Sequence, residues 1–226
     1  MGQGFFITGT DTDVGKTWAT IALMRSLQNQ GLTVLGMKPV AAGCAWQDGV
    51  LKNQDALLMQ SHASVRQDYA LINPYAFEKA ISPHLACAET TIQPDVIEHS
   101  FKRLQAEADC LLVEGAGGWC SPLSSDLTNA QLAQYLDLPV ILVVGLRLGC
   151  LNHADLTMQA IKHSGRTCAG WIGMVIDPVM QSLQANIDYL QNKMESPLLG
   201  VLPSLSYQDF EVLSNQIDPK KLKNVI

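Results

Sequence analysis

Val140-Ile141-Leu142-Val143-Val144 is an unbroken apolar run, with no polar residue on either of its alternating faces. A strand of that kind is buried on both sides, as in parallel sheets covered by helices above and below. The rest of the chain alternates to match. Strands are predicted over 5–8, 34–40, 110–113, 140–144, 170–176 and 198–202, and helices over 16–30, 95–108, 128–136, 153–163 and 183–192. Gly31 stops the first helix, and Pro39 marks the end of the second strand. The stretch 43–94 has no clear period and reads as an excursion from the sheet carrying short helices. No repeat or low-complexity segment breaks the pattern. The expectation is one domain over 1–226, a three-layer α/β/α fold with a mostly parallel central sheet.

Open sheets of this kind bind ligands beyond the carboxyl ends of their strands. Glycines and polar residues gather at four such ends: 9–17, 38–43, 114–118 and 145–152. The first reads Gly9-Thr10-Asp11-Thr12-Asp13-Val14-Gly15-Lys16-Thr17, between a strand and a helix. Glycines let a backbone turn its N–H groups onto an anion, and the helix N-terminus adds its positive end. Lys16 can reach β- and γ-phosphates, and the Thr17 hydroxyl can ligate Mg²⁺. The glycines stand one residue further apart than in the usual GxxxxGK[ST] loop. The expected fold is therefore of the P-loop NTPase type.

Asp11 and Asp13 are unusual in a loop that holds phosphate, because a carboxylate beside an anion costs energy. Either one of them caps the helix or faces solvent, or the loop also faces a positively charged substrate such as an amine. Glu114 ends a buried strand, where it is either a Mg²⁺ ligand or a surface residue. Asp55 is either a weaker Mg²⁺ candidate or an ordinary helix N-cap. Lys38 either stabilises a transferring phosphoryl group or snorkels from a strand end.

Composition removes other classes. Fifteen Lys and Arg against twenty-one Asp and Glu give a net charge of −6 with no basic stripe, which argues against a nucleic-acid partner. Lys220, Lys221 and Lys223 read as a solvated tail. The longest apolar stretch, 139–146, is far short of the roughly 20 residues that cross a bilayer. The six cysteines contain no CxxC pair, and Met1 leads directly into an apolar strand rather than a signal peptide. Reduced thiols and a cytoplasmic location are expected. The five histidines show no HExxH spacing, and GxSxG and GxGxxG are absent.

The ordered segments Thr8-Gly9-Thr10-Asp11-Thr12-Asp13-Val14-Gly15-Lys16-Thr17, Lys38-Pro39-Val40-Ala41 and Val113-Glu114-Gly115-Ala116-Gly117-Gly118-Trp119 resemble dethiobiotin synthetases. Pro139-Val140-Ile141-Leu142-Val143-Val144, Leu148-Gly149-Cys150-Leu151-Asn152-His153-Ala154 and Ala169-Gly170-Trp171 extend the likeness, which covers the chain to about Pro203. The lengthened phosphate loop is shared with that family. The resemblance implies an ATP-dependent cyclo-ligase that captures CO₂ on 7,8-diaminononanoate as a carbamate, phosphorylates it and closes the ureido ring. It implies Lys16 and Lys38 as catalytic residues, Thr17, Asp55 and Glu114 as Mg²⁺ ligands, and ATP bound by Asp13, Val14, Gly15, Lys16, Thr17, Gly115, Ala116, Gly117, Pro203, Ser204 and Leu205. Thr12, Asp13, Lys38, Ala42, Gly117 and Gly118 would meet the substrate. Asn152 would reach it from the second subunit of a homodimer.

Two positions depart from the family. Ala42 stands where a hydroxyl residue usually contacts the carbamate. Met174 and Val175 stand where Asn, often followed by Asp, reads the adenine edge. Two other families resemble the chain less. Partition and septum-site ATPases carry a second lysine early in the loop, where this chain has Thr10-Asp11-Thr12. Cobyrinic acid diamide synthases bring a glutaminase domain, for which 226 residues leave no room.

Overall fold

The computed structural model describes residues 2–88 and 90–222; Met1 and Lys223 lie outside them. Among the described residues ten strands run in chain order: β1 (Gln3–Gly9), β2 (Val34–Met37), β3 (Val40–Ala41), β4 (Ala45–Gln47), β5 (Val50–Lys52), β6 (Tyr75–Ala76), β7 (Cys110–Gly118), β8 (Val140–Leu146), β9 (Cys168–Val175) and β10 (Leu198–Leu202). The helices are α1 (Lys16–Gln28), α2 (Gln54–His62), α3 (Tyr69–Ile72), α4 (Pro83–Ala86), α5 (Pro94–Gln105), α6 (Asn129–Tyr135), α7 (Cys150–His163), α8 (Leu183–Lys193) and α9 (Phe210–Ser214). Among the described residues, six strands form one sheet in the order β10-β9-β8-β1-β7-β2, and every neighbouring pair is parallel.

The apolar run that opened the sequence reading lies next to the sheet's centre, on β8, and is fully buried. Its alternating side chains feed two cores, as strand geometry requires. Ile141 and Val143 join Phe5, Ile7 and Leu112 beneath α1 and α9, whereas Leu142 and Val144 pack with Trp171 against α7 and α8. Phe6, Leu111 and Val113 point the other way and are covered by α5 and α6. Among the described residues no helix is long and apolar enough to cross a membrane.

Several boundaries differ from the sequence expectation, each for a local reason. The strand expected over 34–40 stops at Met37. Pro39 has no N–H to continue a ladder, and the Lys38 amide instead donates to the Ile72 carbonyl at 2.8 Å. Val40–Ala41 then pairs with Tyr75–Ala76 in a small separate sheet. The 114–118 segment, expected beyond the end of a strand, remains strand throughout. Its pairing shifts register between Ile7 and Gly9, so Ile7 faces Glu114 while Gly9 faces Gly118. Glu114 is therefore fully buried, and its reading as a surface residue fails.

Residues 43–94 form the expected excursion, built from short elements. The chain beyond Tyr207 packs back on the body: Trp18 of α1 meets Phe210 of α9 edge to face, with ring centroids 5.8 Å apart. Lys221 is not a purely solvated tail, since its ammonium donates to the Leu198 carbonyl at 2.9 Å. All six cysteines are unpaired.

Leu112→Ala removes a fully buried side chain from β7. Destabilisation of about 2–5 kcal/mol is expected, read as a lower urea midpoint at unchanged slope.

Candidate active site

Gly15 precedes α1 as its N-cap residue, its φ of 81° in the left-handed region, and no side chain caps the helix. The first-turn amides are thus left free to face a ligand. A Cβ at Gly15 would also lie 2.7 Å from Met174 Cγ, so the methionine would have to move. Val14 beside it is buried beneath β8, in the space left by Gly145. The loop is anchored in the core by Val14 and presents its backbone outward.

Above the loop is a cavity of about 820 Å³. Three of the four expected strand ends supply its walls: Thr12, Asp13, Gly15, Lys16 and Thr17 from the first, Lys38 and Ala42 from the second, Glu114, Ala116 and Gly117 from the third. Asp55 joins them from α2. Gly115 packs instead against Asn129 and Phe6, and Gly118 against the Gly9 carbonyl. The fourth end, 145–152, does not line this cavity. Asn152 is exposed on α7 and borders a second cavity between α7 and α8. Pro203, Ser204 and Leu205 follow β10 outside the cavity wall, with Leu205 packed on the core that also contacts Trp18.

The floor of the cavity is a charge cluster built on the buried Lys38 and Glu114, with Asp55 at its partly exposed edge. Lys38 Nζ lies 2.6 Å from Glu114 Oε1 and 3.1 Å from an Asp55 carboxylate oxygen. Burial alone would lower the Lys38 pKa, but Glu114 and Asp55 outweigh it and hold the ammonium above the usual lysine range. Lys38 therefore does not snorkel. Its backbone is pinned as well, the Asn73 side chain donating to its carbonyl at 2.7 Å. Thr17 Oγ1 donates to Glu114 Oε1 at 2.9 Å. Asp55 is not the helix cap: Asn53 Oδ1 accepts from the Asp55 and Ala56 amides, leaving the Asp55 carboxylate to the cavity.

Lys16 Nζ folds back onto the Asp11 carbonyl at 3.0 Å. Burial and then the neighbouring Lys38 charge push its pKa down to about 8. The two loop aspartates separate in role. Asp11 pairs with Arg147 at 2.8 Å, while Asp13, at a φ of 56°, lines the cavity. Neither caps the helix.

The donor set fits a hard divalent cation. A hydroxyl and two carboxylates are oxygen ligands of the kind Mg²⁺ takes, and that ion keeps several waters rather than demanding an all-protein cage. Among the described residues there is no cluster of three His, Cys, Asp or Glu side chains that would suggest a closed metal site instead. The Lys38 ammonium already lies between the two carboxylates, so the cluster accommodates positive charge.

Four further residues contribute to the site without standing out in the sequence. Thr20 donates to Glu114 Oε2 at 2.8 Å. Asn129, fully buried, donates to the Ala116 and Gly118 carbonyls at 2.7 and 2.8 Å and shapes the end of β7. Arg147 neutralises Asp11, and Trp18 lines the cavity one residue beyond Thr17. Only Thr20 left a usable signal, a hydroxyl three residues after Thr17 and so on the same helical face.

A parallel sheet with a strand–loop–helix anion cradle and a buried acid on the adjacent strand defines a P-loop NTPase-type protein. A family model described as an AAA domain matches residues 3–211. The ATP-dependent dethiobiotin synthetase BioD of Cellvibrio japonicus is 44% identical over 218 residues, covering 96% of each chain. That of Xanthomonas euvesicatoria is 44% identical over 201 residues, 88% of this chain and 90% of its own. The chain belongs to the dethiobiotin synthetase family. Solved structures share the fold alone. The MinC:MinD cell division complex of Aquifex aeolicus aligns at a TM-score of 0.56 and 15% identity, over 95% of this chain and 86% of that one. A ParA family ATPase from Chlorobium tepidum aligns at 0.54 and 15%, over 96% and 89%.

Because the Lys16 pKa is lower folded than unfolded, the unfolded chain binds more protons between about pH 8 and the ordinary lysine value. The penalty for a charged Lys16 is complete below pH 8 and fades as pH rises through that window. Lys16→Met is expected to stabilise the ligand-free protein at pH 7, by up to roughly 3 kcal/mol. Urea denaturation at pH 7 and pH 10 should show the gain shrinking at the higher value.

Proposed function

We propose that the chain is an ATP-dependent dethiobiotin synthetase, carboxylating 7,8-diaminononanoate with CO₂ and closing the ureido ring to give dethiobiotin, ADP and phosphate. The observation that carries this is the convergence of Lys16, Thr17, Lys38, Asp55 and Glu114 on one cavity, with Asp13 on its wall. A carbamate is a poor electrophile until phosphorylation gives it a leaving group. The second amine, held beside the carbonyl carbon, then attacks it and expels phosphate in an effectively intramolecular closure.

In this reading Lys16 and the amides of Asp13, Val14, Gly15 and Thr17 bind the phosphates, with Gly115, Ala116 and Gly117 along the facing strand. Thr17, Asp55 and Glu114 would hold Mg²⁺, which would neutralise phosphate charge during the transfer. Lys38 stabilises negative charge on the transferring phosphoryl group and the carbamate. Thr12 and Asp13 accept hydrogen bonds from the diamine. Ala42 and Gly117 flank the carbamate, with Gly118 behind them, and Asn152 of a second copy meets the substrate carboxylate in a homodimer. Pro203, Ser204 and Leu205 face the nucleoside. Met174 is buried against Gly15 and offers the base no amide hydrogen bond, so recognition falls to backbone groups. The enzyme acts as a single domain in the cytoplasm. The likeness to MinD and ParA structures supports no switch-ATPase reading, since Thr10-Asp11-Thr12 lacks that group's early lysine.

Phosphate release from Mg·ATP should require both 7,8-diaminononanoate and bicarbonate and give a product of dethiobiotin mass. Steady hydrolysis indifferent to both would overturn the proposal. Lys38→Gln should lower kcat about a hundredfold or more while ATP still binds. Ala42→Ser restores a hydroxyl to the cavity wall, and should lower the KM for the diamine about two- to tenfold.

A further inference from the structure

Glu114 turns one oxygen, Oε1, toward Thr17 and Lys38, and the other away from the cavity. That second oxygen meets Thr20, a fully buried residue of α1 that does not line the cavity. Thr20 Oγ1 is 2.8 Å from Glu114 Oε2 and 2.9 Å from the Lys16 carbonyl oxygen. A hydroxyl has a single proton and cannot donate fully to both acceptors. The carboxylate is charged and shielded from water, which makes it the stronger acceptor. The Lys16 carbonyl loses little, because in an α-helix it also serves the amide four residues on.

We propose that Thr20 is a positioning residue that commits Glu114 Oε2, so that the carboxylate presents a single oxygen to the cavity and thereby sets the site's preference among divalent cations. The inference rests on the reading of Glu114 as a cation ligand. Mg²⁺ is small, strictly octahedral and content with one oxygen per carboxylate. Ca²⁺ takes more ligands and commonly draws both oxygens of a carboxylate. Tying Oε2 to α1 withholds the second oxygen, and the fixed rotamer keeps Oε1 beside Thr17. Thr20 thus acts through Glu114 and touches neither cation nor substrate.

The test is calorimetric binding of ATP in Mg²⁺ and in Ca²⁺ to the wild-type protein, Thr20→Val and Thr20→Ser, with thermal melts of each. The wild type should bind ATP more tightly with Mg²⁺. Thr20→Val should reduce the Mg²⁺/Ca²⁺ affinity ratio about tenfold, the scale of one hydrogen bond to a charged group, while Thr20→Ser retains it. An unchanged ratio in Thr20→Val, beside a normal wild type, overturns the role of Thr20 alone. Wild-type ATP binding that ignores the metal overturns the cation reading of Glu114, and Thr20's role with it. Should Thr20→Val fail to fold, Thr20→Ala replaces it; the ratio must still fall there and hold in Thr20→Ser.

Discussion

A fully buried glutamate in the middle of an interior strand is the constraint that the rest of the site answers to. A carboxylate removed from water costs several kcal/mol unless it is paired and hydrogen-bonded. Glu114 is supplied on every side: Thr17 and Lys38 on Oε1, Thr20 on Oε2. These partners come from α1 and from the segment after β2, so one acid ties that helix, that segment and β7 together. Lys38 is in turn balanced by Asp55, which brings in α2. The cluster is functional in its polarity and structural in its connections.

The sheet makes that concentration of charge possible by excluding it elsewhere. From Phe5 to Ile7, Leu111 to Val113 and Val140 to Val144 the strands carry only apolar side chains, so polar groups accumulate at the carboxyl ends. The bulge between Ile7 and Gly9 shifts β7 against β1 just where Glu114 appears. A regular register would carry the glycines of β7 past the phosphate loop at a different height. Asn129 then holds the last residues of β7 through the Ala116 and Gly118 carbonyls, beside the Gly9–Gly118 pairing with β1.

Periodic elements were legible in the sequence because burial on a sheet or helix repeats. All six strands of the main sheet and the long helices were visible that way, as was the phosphate loop, whose glycines answer to backbone shape. What was hidden depends on contacts between residues far apart in the chain. The excursion over 43–94 has little period of its own; it is held by bonds such as Tyr69 to the Asn53 amide at 2.7 Å and Asn73 to the Lys38 carbonyl. The glycines at 115, 117 and 118 mark the end of a strand in the sequence but carry no sign of the close approach of Asn129 and Ser121 that they permit. Asp55 was ambiguous until Asn53 proved to be the cap. Arg147, in a loop that never reaches the cavity, carried no mark of its pairing with Asp11.

That pairing gives the phosphate loop a physical reach beyond its own cavity. Asp11 belongs to the loop and Arg147 to the short segment leading into α7, the helix on which Asn152 is displayed. Both partners are partly exposed, and a bond of that kind is worth about 1 kcal/mol or less. It is a compliant tether rather than a strut: strong enough to favour one relative placement of loop and helix, and weak enough for thermal motion to break and remake it. Raising the ionic strength slackens it without touching the buried cluster beneath, so the loop's outer edge and its floor respond to salt on different scales.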